Sequence, residues 1–90
     1  MGAITPDSAR RISAGSKVLV AATFESTTID DGDTWDTGIG NEATDVWANG
    51  TDDPTGAAKQ GIDCNLTKGV VTFNAGEDDR EAIIYILANI

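Results

Sequence analysis

Ninety residues make one domain with a thin margin of stability, because a chain of this length buries only about 60 to 65% of its unfolded surface. Fifteen acidic residues against six basic ones give a net charge of −9, which argues against nucleic acid and against membrane surfaces as partners. Histidine is absent and Cys64 is the single cysteine, which rules out an internal disulfide and argues against a zinc site and the commonest catalytic pairs.

Residues 1–15 are predicted to be an extended N-terminal arm, followed by a single β domain over residues 16–90. The arm contains Pro6 and several small residues without a clean periodicity. Such a segment either docks on a neighbouring molecule or frays in solvent, and the sequence leaves both alternatives open.

The first strand is predicted over residues 16–26. Val18, Val20, Ala22 and Phe24 fall on one face, as the two-residue period of a strand requires. Leu19 and Ala21 make the opposite face partly apolar. We therefore expect both faces to be covered, one by the interior of the domain and the other by a contact.

Residues 27–41 are dense in aspartate, glycine and threonine. The carboxylates crowd into one short stretch, at Asp30, Asp31, Asp33 and Asp36. A calcium site is one interpretation, since Ca²⁺ takes several oxygen ligands, but the spacing does not match the EF-hand loop. The favoured interpretation is a set of turns in which these side chains bond to nearby backbone N–H groups.

A short strand is predicted over residues 43–48 and a loop over residues 49–56. Val46 and Trp47 are residues enriched in strands, whereas Asn-Gly and Asp-Pro pairs mark the loop. A β-hairpin follows over residues 62–73, where polar and apolar residues alternate before a Lys-Gly turn.

Residues 80–88 are apolar at nearly every position and are predicted to form a strand that is covered on both faces. The acidic residues ahead of this run, and the helical spacing of Ile83, Leu87 and Ile90, leave a helix as the alternative. Isoleucine and tyrosine favour the strand. In all, the turn signals delimit five to seven short strands, which predicts an all-β fold: a small antiparallel β-sandwich or barrel.

No constellation of catalytic residues is recognisable, and we expect the chain not to be an enzyme. Cys64 alternates with apolar residues in its predicted strand, which indicates a buried and inert thiol. Gly38 and Gly40 lack the rest of a phosphate-binding loop. We expect no metal and no cofactor.

Association is the remaining way to stabilise so small a chain, either with copies of itself or with a larger protein. Trp35 and Trp47 are interpreted as core or interface residues. A carbohydrate-binding module, in which indole rings stack on sugars with or without calcium, is the alternative class. The interface candidates are Ile12, Leu19, Trp35, Trp47, Ile84 and Ile86.

Three segments of the chain share the style of a known group of proteins. They are the strand at residues 17–24, the Gly-Asp-Thr-Trp-Asp-Thr-Gly-Ile segment at 32–39, and the strand at 69–73 with the isoleucine-rich strand after it. This pattern resembles the small all-β virion proteins of tailed viruses of bacteria and archaea, particularly head decoration or capsid-stabilising proteins.

The resemblance implies a protein without catalysis that lies on the capsid surface of the virion. Its partner would be the major capsid protein, whose subunit contacts it would stabilise, and it would be a homo-oligomer, with a trimer favoured. A structural protein of the tail, baseplate or head–tail junction is the alternative, since such proteins share this style of sequence.

Overall fold

The computed structural model describes residues 2–51 and 62–89, which form an antiparallel sandwich of two β-sheets. The strands are β1 (Ser8–Ala14), β2 (Lys17–Ile29), β3 (Thr34–Asp36), β4 (Ala43–Gly50), β5 (Asp63–Thr67), β6 (Val70–Asn74) and β7 (Arg80–Asn89). One sheet has the strand order β1-β2-β7-β4 and the other the order β3-β6-β5. The predicted all-β sandwich of five to seven strands is therefore confirmed.

The regular structure outside the strands is slight. A 3₁₀ turn, Gly40–Glu42, precedes β4. Within residues 2–51 and 62–89, no helix has the length and the apolar character needed to cross a bilayer. Of the loop predicted over residues 49–56, residues 52–56 lie outside the described part of the chain.

The middle of the four-stranded sheet is formed by β2 and β7, which are buried at every second position along one face. Because side chains alternate along a strand, only one face of each points toward the other sheet. The buried side chains on that face include Val20, Ala22 and Phe24 on β2 and Ala82, Ile84, Ile86 and Ala88 on β7. The helical alternative for residues 80–88 is wrong, since this segment is the strand β7.

Phe24 of β2 joins the two sheets. Its ring meets the ring of Trp35 on β3 at 5.7 Å and that of Phe73 on β6 at 5.6 Å, each in an edge-on arrangement. Such pairs contribute roughly 0.5–1.5 kcal/mol each beyond the burial of their area. The strand predicted first in the sequence thus supplies the central side chain of the core.

The predicted hairpin of β5 and β6 is confirmed, and its turn has a special backbone. Lys68 and Gly69 have φ angles of 52° and 80°, as a two-residue type I′ turn requires. A Cβ atom on Gly69 would lie 2.4 Å from the backbone nitrogen of Gly40, so the turn touches the segment before β4. The N–H and the hydroxyl of Thr37 both donate to the Gly69 carbonyl, at 2.9 and 2.6 Å.

The residues predicted to be an N-terminal arm contain the strand β1, which is an edge of the four-stranded sheet. Ahead of β1 the chain runs beside β3, where the N–H of Ile4 donates to the carbonyl of Thr34 at 2.8 Å. It then crosses to β2, where the carboxylate of Asp7 accepts hydrogen bonds from the backbone N–H groups of residues 25–27 at 2.7 to 2.8 Å. Residues 2–14 are thus bonded to both sheets.

Candidate protein-binding surface

The outer face of the four-stranded sheet, which points away from β3, β5 and β6, carries apolar side chains on all four strands. Strand register places them in rows that run across the sheet. One row is Ile12, Leu19, Leu87 and Asp45, the next is Arg10, Ala21, Tyr85 and Trp47, and the third includes Thr23 and Ile83. We call the apolar members the outer patch: Ile12, Leu19, Ala21, Trp47, Ile83, Tyr85 and Leu87.

The outer patch is most exposed at its two margins. Ile12 on β1 is 50% exposed and Trp47 on β4 is 46% exposed, and both are large apolar residues. The members on β2 and β7 are half-buried beneath their neighbours in the sheet. Apolar surfaces are typical of interaction sites, so we treat the outer patch as the candidate binding surface of the described residues.

An aromatic pair stiffens the β4 side of the outer patch. The rings of Trp47 and Tyr85 are stacked, with centroids 5.4 Å apart and planes inclined by 17°. Tryptophan and tyrosine are the residues most often responsible for binding energy in protein interfaces. A flat stacked pair on a strand is therefore suited to anchor a protein partner.

Opposite charges border the outer patch. Arg10 lies at the β1 end of the row that contains Trp47, and Asp45 lies at the β4 end of the row that contains Ile12. Both charged residues are exposed. The patch consequently has a basic margin along β1 and an acidic margin along β4.

The structure divides the interface candidates into two groups. Ile12, Leu19 and Trp47 belong to the outer patch. Trp35, Ile84 and Ile86 are core residues with exposures of 7%, 0% and 0%. These last three side chains face the interior of the sandwich, so in this fold they do not lie on a surface that a partner could reach.

Sequence reasoning missed several members of the surface. Tyr85 and Leu87 were not distinguished from Ile84 and Ile86, because β7 is apolar on both faces and its own pattern does not reveal which face is inward. The missing signal lies on β2, where Phe24 fixes the inward face of the strand that pairs with β7.

The aspartates of residues 30–36 accept hydrogen bonds from backbone N–H groups, some of them nearby in sequence and others distant. Asp30 accepts from the N–H of Asp79 at 3.0 Å, and Asp31 accepts from those of Ala75 at 3.0 Å and Gly76 at 3.4 Å. Asp33 accepts from the N–H groups of Gly2 and Asp30 at 2.7 and 2.8 Å, and Asp36 accepts from that of Gly38 at 3.0 Å. Over residues 2–51 and 62–89 no group of three or more His, Cys, Asp or Glu side chains is arranged to hold a metal ion. The bonds of Asp30 to Asp33 and of Gly38 to Asp36 fit the turn interpretation, whereas the others join this segment to residues 2, 75, 76 and 79.

Cys64 is partly buried on β5. Burial, and next to it the negative charge of Asp63, raises the pKa of the Cys64 thiol to about 11. The thiolate, which is the nucleophilic and metal-binding form, is therefore scarce at neutral pH. This agrees with the expectation of an inert thiol.

An open groove of about 430 Å³ lies along β1, lined by Arg11, Ser13, Val18 and Asn89. Arg11 and Ser13 are exposed, so water solvates their polar groups. These side chains do not pair a nucleophile with a base. The groove is a weaker candidate for a binding site than the outer patch.

No protein-family model matches the chain, and neither a curated protein nor a solved structure is significantly similar to it. The fold and the outer patch are accordingly the grounds for a functional proposal.

Proposed function

We propose that this chain is a non-enzymatic structural protein of a virion, which binds the outer surface of an assembled capsid and stabilises contacts between major capsid proteins. The observation that carries the proposal is the outer patch with its stacked pair of Trp47 and Tyr85. Small-molecule sites are concave, whereas this surface is borne on a sheet and suits a protein partner. The resemblance of residues 17–24, 32–39 and 69–73 to decoration proteins supplies the capsid as that partner.

The net charge supports the outside of the capsid as the location. A charge of −9 opposes contact with nucleic acid packaged inside a particle. It does not oppose attachment to the exterior, where salt screens charges beyond about 8 Å at physiological ionic strength.

Repetition of the capsid surface supports attachment of a small protein. A capsid presents many equivalent sites, and a homo-oligomer that binds several of them at once gains affinity without a large interface for each copy. Self-association of this chain therefore forms part of the proposal.

The proposal is tested by adding the purified chain to capsids that lack it and measuring co-sedimentation and the temperature at which the particles open. Wild-type protein should bind at a fixed stoichiometry and raise that temperature. Trp47→Asp should bind far less, because it places a charge in the outer patch. Asn65→Asp is the matched control, since Asn65 is exposed on β5 of the other sheet and the change adds the same charge.

Other results would overturn the assignment. Density for the chain on the tail, the baseplate or the head–tail junction of an imaged particle would favour the alternative virion role. Binding of a glycan by the isolated chain, lost in Trp47→Asp and accompanied by no binding to capsids, would favour a carbohydrate-binding module.

A further inference from the structure

The charges that border the outer patch are too far apart to neutralise each other within one molecule. Arg10 is on β1 and Asp45 is on β4, at opposite edges of the four-stranded sheet. Neighbouring strands are about 4.8 Å apart, so three spacings separate the two edges by about 14 Å. Both side chains are exposed, and the Asp45 carboxylate accepts a hydrogen bond from the hydroxyl of the neighbouring Thr44 at 3.3 Å, so a residue of another molecule can reach each charge.

We propose that the partner that covers the outer patch is a second copy of this chain, related to the first by a two-fold axis that runs parallel to the strands between β2 and β7. This rotation places β1 of each copy over β4 of the other. Arg10 of each copy then lies over Trp47 of the second copy and beside its Asp45. The contact combines an ion pair with a cation–π contact, and the symmetry makes it occur twice.

The shapes of the side chains fit the same arrangement. An axis along the strands keeps each row of the outer face opposite the same row of the second copy. Ala21, the smallest member of the outer patch, then lies opposite Tyr85, which is among the largest. Leu19 lies opposite Leu87. Small residues facing large ones let two sheets interdigitate, with the strands crossing at about 30° as in aligned sandwiches.

The charges disfavour the other two-fold arrangement that would bring the outer faces together. An axis perpendicular to the strands would place β1 over β1 and, where it crosses the row of Arg10, would bring Arg10 of the two copies together. It would also place Trp47 and Tyr85 against the same large rings of the second copy. Like charges at an interface suppress that pairing. The sequence on the outer face therefore selects one of the two orientations.

This contact goes beyond the proposed function, because it depends on no capsid and would form in solution. The contact covers the outer patch that the proposed function assigns to the capsid, so the two copies would have to separate before either bound a capsid through that patch. Its symmetry gives a dimer, whereas the resemblance to decoration proteins implies a trimer. The measured number of chains distinguishes them. A failure to bind capsids would leave the dimer intact, so the two proposals can fail separately.

The experiment measures the mass of the purified chain in solution by light scattering or sedimentation, at about 0.15 M salt so that the net charges are screened. The wild type should contain two chains. Arg10→Glu alone and Asp45→Arg alone should each raise the dissociation constant at least about tenfold, because each places like charges at both symmetric contacts. An equimolar mixture of the two variants should form a dimer again, because both contacts of the mixed pair then join opposite charges.

Arg11→Glu is the matched control. Arg11 is exposed on the same strand as Arg10 but points to the opposite face, so this change should leave the mass at two chains. Circular dichroism of each variant checks that the sheets are retained. A wild-type mass of one or three chains, dissociation caused equally by Arg11→Glu, or a mixture that stays monomeric would overturn the proposal.

Discussion

Trp47 and Tyr85 are stacked on neighbouring strands at a ring separation of 5.4 Å, on the face of the sheet that lies away from the core. Packing of the interior does not require this pair, since the core on the other face is complete without it. Its exposed position is therefore the feature most directly related to association.

Substitutions on β7 should separate association from folding. Tyr85→Asp should abolish self-association and cost the isolated chain about 1–2 kcal/mol, since it removes the stacked pair from a half-buried position. Ile84→Asp, one residue earlier, should prevent folding because it buries a charge in the core. Denaturant unfolding together with mass measurement would check both. Equal effects of the two substitutions would contradict the assignment of faces on β7.

Asp78→Asn should be nearly silent in the same assays, within about 0.5 kcal/mol. The Asp78 side chain is exposed and accepts a hydrogen bond from the N–H of Asp31 at 3.3 Å, which an amide oxygen can also accept. A large loss of stability would contradict this prediction and show that the negative charge of Asp78 stabilises the fold in addition to the hydrogen bond.

Gly69→Ala should destabilise the fold by about 2–4 kcal/mol. The new Cβ would lie 2.4 Å from the backbone of Gly40, and the residue would also have to keep a φ of 80°. Gly15→Ala is the matched control, because Gly15 has a φ of 67° but open space around it. That change should lower the free energy of unfolding by only about 1 kcal/mol, which is the cost of holding alanine at a positive φ. Urea unfolding curves of the two variants would measure the difference.

Asp7 should make stability depend on pH in acid. The backbone N–H of Thr27, with those of Glu25 and Ser26, lowers the pKa of Asp7 below its ordinary value although the side chain is exposed. A lowered pKa in the folded state means that the stabilisation is complete above the pKa of the unfolded chain and is lost as the pH falls through the folded pKa.

The measurement for Asp7 compares the free energy of unfolding of wild type and Asp7→Asn from about pH 7 down to about pH 2. Wild type should be more stable at neutral pH, and the difference should shrink in acid, because the amide does not titrate. A difference that stays constant over this range would contradict the role of the carboxylate.

Cys64 should react slowly with alkylating reagents in the folded protein. Burial and the charge of Asp63 raise the pKa of its thiol to about 11, so the reactive thiolate is rare at pH 7 to 8. In denaturant the rate should rise as burial is lost. Mass spectrometry after timed addition of iodoacetamide would measure both rates. Equal rates in the two states would show that the thiol is not protected.

The sequence predicted five of the seven described strands and missed β1 and β3. β2 and the hairpin of β5 and β6 alternate clearly, because one face of each packs in the core. β1 gives no such signal, since Ala9, Arg11 and Ser13 point inward yet remain exposed. Where a strand lies beyond the edge of the opposite sheet, no core covers its inward face, so its apolar residues need not alternate with polar ones. The sequence of β1 therefore resembles that of an extended arm.

Trp35 illustrates a second limit. It stands among Asp, Gly and Thr residues that indicate a turn, so the sequence predicted no strand around it and left it as a core or an interface residue. In the fold it sits on the three-residue strand β3 and packs edge-on against Phe24. Only the pairing of β3 with β6, distant in sequence, places it inside the sandwich.

The position of β7 governs when this protein can fold. It follows every other strand in the sequence, yet it lies between β2 and β4 and pairs with both. Residues 80–89 must therefore leave the ribosome before β4 has a neighbour in its sheet. Until then the apolar inward face of β2 is exposed and can associate wrongly with other nascent chains. Loss of this segment would remove the centre of the sheet and leave two unjoined parts, so we expect the four-stranded sheet to form only after residues 80–89 have been synthesised.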